Sequence, residues 1–298
     1  MNPNLPTTKQ LRYFVALEKY KHFGKAARAC FVSQPAFSVA IQELENLLNV
    51  QLVDRTNRNV TITSIGKEIA NQAKLVLSDM ESLVDLARKN QKPLTGQLNL
   101  GIIPTIAPFV LPKLLPKLHK FYPDLDLYLT EDLTDRVYEG LMEGELDLIL
   151  IALPYELRNV ETMNLFRDHF YLACREGTKL IDPEHYSIEK LPEESILLLE
   201  DGHCLRDHAL SACKISNKDK VSNVAASSLL TLIHMVDADL GITFLPEMAL
   251  QSAMLKNTHV KTWPIKSGSY RDIGLVWRKG SKRVKEFRLL GEFIKSVL

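Results

Sequence analysis

Residues 23–48 read "FGKAARACFVSQPAFSVAIQELENLL", and two helices with a short break between them account for the pattern. "GKAARAC", Gly24–Cys30, is a small, alanine-rich helical run, and "FVS" interrupts it. Ser33 then suits a helix N-cap. Pro35 suits the first turn, where its missing N–H costs nothing. Phe37, Ile41, Leu44 and Leu48 recur at helical spacing and form one buried stripe. A short helix, a three-residue break and a longer helix make a helix-turn-helix arrangement.

Working outward, Leu11, Phe14, Val15, Ala16 and Leu17 give a preceding helix an apolar face, with Thr7 and Thr8 as caps. After the motif, "VQLVDRTNRNVTIT" holds two short β-rich runs around Arg55 and Arg58, which predicts a hairpin, or wing. From Thr63 a long helix is expected to run to about Asn90. Ile65, Ile69, Ala73, Val76, Met80, Leu83 and Ala87 form a heptad seam along it, and such a seam wants a partner helix, so a dimer is expected. "QKPLTGQLNLG" then marks a break. Beyond it strands and helices alternate: "QLNLGII", "APFVLPKLLPKLHKFYP", "LDLYLTED", "DRVYEGLMEG", "LDLILIAL" and on to a final helix, "VKEFRLLGEFIKSVL". That is an α/β pattern with a largely parallel sheet, long enough for two small subdomains.

The whole chain has 37 Lys and Arg against 36 Asp and Glu, yet residues 1–92 carry 13 against 8 and residues 93–298 carry 24 against 28. The positive end suits an anionic partner. No apolar run reaches the roughly 18 residues a membrane span needs, and "MNPNLPTTKQ" has no apolar signal core. A cytoplasmic protein with reduced thiols is expected.

"LRYFVAL", "HFGKAARACFVSQPAFSVAIQELENLLNVQLVDRTNRNVTIT" with Gly66, and "DLGITFLP" resemble the LysR-type transcriptional regulators over the whole length of the chain. The resemblance implies a winged helix-turn-helix DNA-binding domain at 1–62, a linker and dimerisation helix at 63–92, and a regulatory domain at 93–298. The last would have two Rossmann-like subdomains similar to type 2 periplasmic binding proteins. It further implies binding to double-stranded DNA as a homodimer, assembled into a homotetramer, and contact with RNA polymerase. The DNA-binding candidates are Phe23, Ser33, Gln34, Pro35, Ser38, Gln42, Arg55 and Arg58. Off the apolar stripe, Gln34, Ser38 and Gln42 suit base edges in a major groove, and the two arginines suit phosphate or a minor groove.

Within that family, "GIIPTIAPFVLP" and "LLLEDGHCLRDHALSAC" resemble the OxyR group of hydrogen-peroxide sensors. The resemblance implies Cys204 as the thiol that meets peroxide and Cys213 as its disulfide partner. It implies Thr105 and Thr134 as groups that hold peroxide or water, and Gly202, His203, Leu205, Arg206 and Asp207 as the surroundings of the thiol. Peroxide-defence genes would be the targets, glutaredoxin or thioredoxin the reductant, and hydrogen peroxide the signal, with no cofactor and no metal. Nothing in "CLRDHALSAC" breaks a helix. Nine helical steps at ~1.5 Å put the two Cα atoms roughly 13 Å apart, and a disulfide tolerates ~7 Å, so bonding requires this segment to rearrange. A helix N-terminus, Arg206 or a protonated His would favour the thiolate. Asn223, Val224 and Ala225 depart from the His-Phe-Arg of enteric OxyR proteins. Cys30 and Cys174 read as small buried hydrophobes. Two other readings stay open: a LysR-type regulator of a small organic effector, and a thiol peroxidase.

Overall fold

A computed structural model describes residues 5–55, 60–88, 93–183, 185, 191–212, 215, 217–265 and 269–298. It divides into two compact units, one of residues 1–92 with 142–145 and one of 93–141 with 146–298.

In the first unit, α1 (Thr8–Tyr20) opens with a capping box. Thr7 Oγ1 accepts from the Gln10 N–H, and Gln10 Oε1 accepts from the Thr7 N–H at 2.9 Å. Then come α2 (Phe23–Ala29), capped by His22, and α3 (Gln34–Leu48), capped by Ser33. Phe37, Ile41 and Leu44 are fully buried against Phe14 and Leu17 of α1 and Ala26 and Ala27 of α2. β1 (Val53–Arg55) pairs antiparallel with β2 (Val60–Ile62), the expected hairpin; its tip, including Arg58, lies outside the described residues. α4 (Ser64–Arg88) packs on α1. Gly66 is required at its start, because a Cβ there would sit 2.4 Å from the Leu52 carbonyl oxygen. Along the heptad seam Ala73 is buried, whereas Ile65, Val76, Met80 and Leu83 are exposed. The side chain of Ala87 and the expected last residues of this helix, 89 and 90, fall outside the described residues.

The second unit holds two cores joined by long strands. The first lobe comprises β3 (Gly96–Ile102), α5 (Ala107–Phe121), β4 (Leu125–Glu131), α6 (Thr134–Met142), β5 (Leu148–Leu153) and the start of β6 (Val160–Arg175). The second lobe takes the end of β6, then β7 (Ile196–Leu199), α7 (Cys204–Ala212), β8 (Val221–Ala226), α8 (Leu229–Asp237), β9 (Thr243–Pro246), α9 (Glu247–Leu250) and β10 (Val260–Pro264). The chain returns to the first lobe through β11 (Tyr270–Arg278) and α10 (Val284–Val297). Fold class and the doubled α/β architecture are as the sequence implies.

The sheet, however, is mixed rather than largely parallel. β3 pairs parallel with β4 and β5, and β7 with β8, but β11 runs antiparallel to both β5 and β6, and β9 and β10 run antiparallel to β6. β6 is one 16-residue strand, and its far half reads "HFYLACR". Apolar periodicity identifies strands, and it carries no information about the direction of a distant partner.

Candidate functional site

Cys204 is the first residue of α7 and is 5% exposed. Its side chain packs into the core of the first lobe, whereas Leu205 and Ala209 of the same helix pack into the core of the second. The thiol of one lobe is therefore received by a pocket in the other. That pocket is polar. Thr134 at the start of α6 and the Ala152 N–H at the end of β5 both stabilise negative charge on the sulfur. Thr134 Oγ1 is buried and makes no hydrogen bond of normal geometry among the described residues, so its bonding capacity is open.

The cation that acts on the thiol is Arg271, 1% exposed. Its Nε donates to Asp168 Oδ2 at 2.9 Å, Nη1 to Thr105 Oγ1 at 3.0 Å and Nη2 to the Thr105 carbonyl at 2.9 Å. The other Asp168 oxygen accepts the Met248 N–H at 3.1 Å. Burial pushes the Cys204 thiol above its ordinary pKa. Arg271, Thr134 and the Ala152 N–H oppose that rise, and Asp207 adds to it. The resting thiol is thus protonated near neutral pH, with one buried cation placed to stabilise the thiolate.

His208, one turn along α7, donates from Nε2 to the Pro154 carbonyl at 2.9 Å, which fixes its tautomer and leaves Nδ1 as a buried acceptor with no partner among the described residues. Burial keeps both His203 and His208 below the usual histidine pKa, so at neutral pH neither supplies positive charge. Tyr155 bonds Asp135, and burial together with that carboxylate drives its hydroxyl upward.

Of the residues singled out in the sequence, Cys204, Thr105, Thr134 and Asp207 converge here. Gly202 has φ +95°, a backbone conformation that favours glycine. His203 is buried, and Leu205 belongs to the second core. Arg206 is not the thiol's cation: it is spent on the Leu199 carbonyl at 3.0 Å and Asp201 at 3.0 Å. Cys213 lies outside the described residues. Cys174 is buried, its pKa pushed up to about 11, and Cys30 is half-buried beside the first unit's core. Asn223, Val224 and Ala225 stand on β8, where Val224 is exposed and Asn223 bonds Glu194.

Sequence reasoning missed Arg271, Asp168, Ala152, Tyr155 and the lone pair of His208. Two of these carried a signal. Arg271 falls on the buried parity of β11 with Ile273 and Leu275, and Asp168 on that of β6 with Phe170 and Leu172. A charged residue on an apolar parity needs a buried partner.

On α3 of the first unit, Gln34, Ser38 and Gln42 follow one another at four-residue spacing on one face. The two glutamines and Pro35 are exposed and Ser38 is half-buried, while Phe37 and Ile41 face inward. Phe23 is half-buried and meets Phe37 edge-on at 6.1 Å. Ser33 is spent as the N-cap. Arg55 ends β1, with its side chain outside the described residues. Phe31, 96% exposed, and Val39, 54% exposed, are apolar groups on this motif that the polar pattern hid.

Residues 8–67 match the bacterial regulatory helix-turn-helix protein, lysR family, and residues 91–298 match the LysR substrate binding domain. The HTH-type transcriptional regulator EstR of Acinetobacter baylyi is 40% identical, over 98% of this chain and 97% of its own. The hydrogen peroxide-inducible genes activator of Escherichia coli O6:H1 is 37% identical, over 97% and 94%. A full-length OxyR from Pseudomonas aeruginosa with one cysteine replaced by aspartate superposes with a TM-score of 0.80 at 34% identity, covering 97% of this chain and 94% of that one. The chain belongs to the LysR family of bacterial transcriptional regulators and is homologous to OxyR over nearly its whole length.

Proposed function

We propose that this OxyR-like regulator senses hydrogen peroxide at Cys204 and converts the oxidation into a change of DNA binding or of contact with RNA polymerase. The observation that carries the reading is the buried thiol held between two cores, where Arg271, Thr134 and the Ala152 N–H all favour its thiolate. A two-oxygen oxidant fits such a place: one oxygen is attacked by sulfur, and the other needs hydrogen-bond donors as it leaves. The Cys204 thiolate attacks one peroxide oxygen and the O–O bond breaks. The departing hydroxide takes a proton to become water, leaving a sulfenic acid. The Cys213 thiol then attacks the sulfenic sulfur and releases a second water, so two thiols supply the two electrons.

With α7 helical from Cys204 to Ala212, eight steps of ~1.5 Å span about 12 Å. A bond from Cys204 to Cys213 therefore requires α7 to unwind. Because Cys204 and Leu205 sit in different cores, unwinding α7 acts on both lobes at once. Glutaredoxin or thioredoxin would return the protein to the dithiol. Peroxide-defence genes would be its targets. The exposed seam of α4 would pair two chains and the regulatory domains would extend the pair to a tetramer. Gln34, Ser38 and Gln42, with Val39 beside them, would read base edges in a cytoplasmic nucleoid.

The test is peptide mass spectrometry without reduction after one equivalent of hydrogen peroxide. A peptide linking Cys204 to Cys213, absent before peroxide and absent in Cys213→Ser, is expected. Unmodified Cys204 would instead favour regulation by an organic effector. Steady consumption of peroxide with a thiol donor would favour a peroxidase.

A further inference from the structure

The turn between α2 and α3 breaks two local rules at one residue. α2 ends in a Schellman motif: the Val32 N–H donates to the Ala27 carbonyl at 3.1 Å, and the Phe31 N–H donates to the Arg28 carbonyl at 3.1 Å. The motif holds Phe31 in the left-handed region, at φ +57°. Glycine or asparagine ordinarily fills that place, because a Cβ there crowds the neighbouring carbonyl, and a bulky residue is an outlier. The ring gains nothing from the fold in return, for it is 96% exposed. The hydrophobic contact that accompanies such a motif falls instead to Val32, which packs on the core that holds Ala27. A bulky apolar side chain held in water on a strained backbone is unfavourable on both counts, and a partner that covers the ring offsets them.

Continuity and charge identify the partner. Phe31 leads directly into α3: Ser33 caps that helix, and Gln34 begins its exposed face. In a helix-turn-helix the N-terminal residues of the second helix approach base edges while the first helix crosses the phosphate backbone. A side chain in the turn between them lies at the lip of the major groove. From Lys19 to Gln42 the chain carries Lys19, Lys21, Lys25 and Arg28 and no Asp or Glu, and Lys25 and Arg28 are exposed on α2. These surroundings suit a polyanion. The apolar group that DNA presents in its major groove is the thymine methyl.

We propose that Phe31 is a specificity-determining residue whose ring packs on a thymine methyl of the operator half-site, a contact separate from those of the polar face of α3. The proposal rests on DNA binding by this family and on no part of the peroxide reading.

Duplexes that the reduced full chain selects from a random pool supply the probe. Each thymine of the selected half-site is replaced in turn by uracil, which deletes the methyl group and leaves the pairing intact. Affinity is measured for the native chain, Phe31→Asn and Gln42→Ala. Asparagine tolerates the left-handed backbone, so Phe31→Asn is expected to unfold at no lower a temperature than the native chain. Its affinity for the selected duplex is expected to fall about 4-fold, the factor that one buried methyl commands. Uracil at one thymine is expected to weaken the native chain by about the same factor, to leave Phe31→Asn unchanged and still to weaken Gln42→Ala. Because the ring is uncharged, the dependence of affinity on salt is expected to match in the native chain and Phe31→Asn. Native affinity in Phe31→Asn overturns the contact with DNA, and loss of transcriptional activation in that same variant would assign the ring to a protein partner instead. A weakened Phe31→Asn with no thymine whose methyl distinguishes it from the native chain overturns the base contact. Loss of affinity in Gln42→Ala beside a native Phe31→Asn overturns this inference and leaves the reading of α3 intact.

Discussion

Removing Arg271 separates two roles that the structure joins in one guanidinium. The structural role comes first. Arg271 and Asp168 have side chains 0% and 1% exposed. Breaking such a pair by deleting one partner costs ~3–5 kcal/mol, because the other charge stays buried and unpaired. Against a total stability of ~5–15 kcal/mol this is severe, so Arg271→Met alone will be hard to interpret. Adding Asp168→Asn removes the orphaned charge while keeping an oxygen to accept the Met248 N–H. The double variant is expected to recover roughly 2 kcal/mol over the single one by urea denaturation. The electrostatic role is then read on a folded protein. A neighbouring cation shifts a partly buried acid by ~1–3 pKa units. With Cys204 already pushed above its ordinary value, the thiolate is the minor form at neutral pH and falls in proportion. A less acidic thiolate is also a better nucleophile, with a slope of ~0.4–0.5, which returns nearly half of the loss on a logarithmic scale. Oxidation of Cys204 in the double variant, measured by sulfenic-acid trapping against time, should slow by about 3- to 60-fold. A folded double variant that oxidises within twofold of the native protein would refute the idea that Arg271 acts on the sulfur.

Because the folded pKa of Cys204 lies above its unfolded value, its contribution to stability is full below the unfolded thiol pKa of ~8.5 and is lost as pH rises through the folded value. The urea midpoint should therefore drop between pH 8 and pH 10, less steeply in Cys204→Ser, while the peroxide rate at Cys204 climbs close to ~10-fold per pH unit between 6 and 8; a rate independent of pH in that range contradicts the protonated resting thiol. Cys174, buried with its pKa pushed up to about 11, should stay unmodified when Cys204 is oxidised, and a comparable yield of oxidised Cys174 by peptide mass would contradict its burial. Phe37→Ala, at a fully buried ring stacked 5.0 Å from Tyr13, should cost the first unit ~3–5 kcal/mol and abolish operator binding; retention of both stability and binding would show that α3 does not rest on this core. Gln42→Ala should weaken operator binding by ~1–3 kcal/mol while leaving the dependence of affinity on salt unchanged, and a flatter salt slope would reassign Gln42 to the phosphate backbone.

The first unit was legible because its information is local. A cap, a proline in the first turn, a break and a stripe such as Phe37, Ile41 and Leu44 lie within a few turns of one another and dictate both the helices and the faces they bury. The surroundings of Cys204 were legible only in part, because they are assembled from distant segments. The run around Cys204 carried the resemblance to the sensor group but pointed to Arg206, the neighbour in sequence, as the cation. Arg206 in fact turns back to Leu199 and Asp201, and the cation comes from β11. The same limit explains the sheet. Alternating strands and helices were legible, but the antiparallel pairing of β6 and β11 is a property of where the chain returns after crossing the second lobe and back.

That geometry also bears on selectivity. A cysteine on the surface would owe its reactivity to a lowered pKa and would react with any soft electrophile that reached it. Cys204 is instead buried, and burial holds the thiol protonated. What remains is a set of polar atoms fixed by the fold. The acceptor His208 Nδ1 has no partner among the described residues, Thr134 Oγ1 is turned to the sulfur, and the guanidinium is already anchored by Asp168 and Thr105. On the proposed reading, peroxide supplies the missing hydrogen bonds, donating to the histidine lone pair and bonding the threonine hydroxyl. The groups that stabilise the developing charge are then satisfied only when the right oxidant is present. An oxidant of similar strength that cannot donate two hydrogen bonds, such as an alkyl hydroperoxide, pays for entry without that return. Its rate at Cys204 relative to hydrogen peroxide should rise when His208 is replaced by a residue with no acceptor, as in His208→Leu, and an unchanged ratio would place the discrimination in the size of the entrance instead.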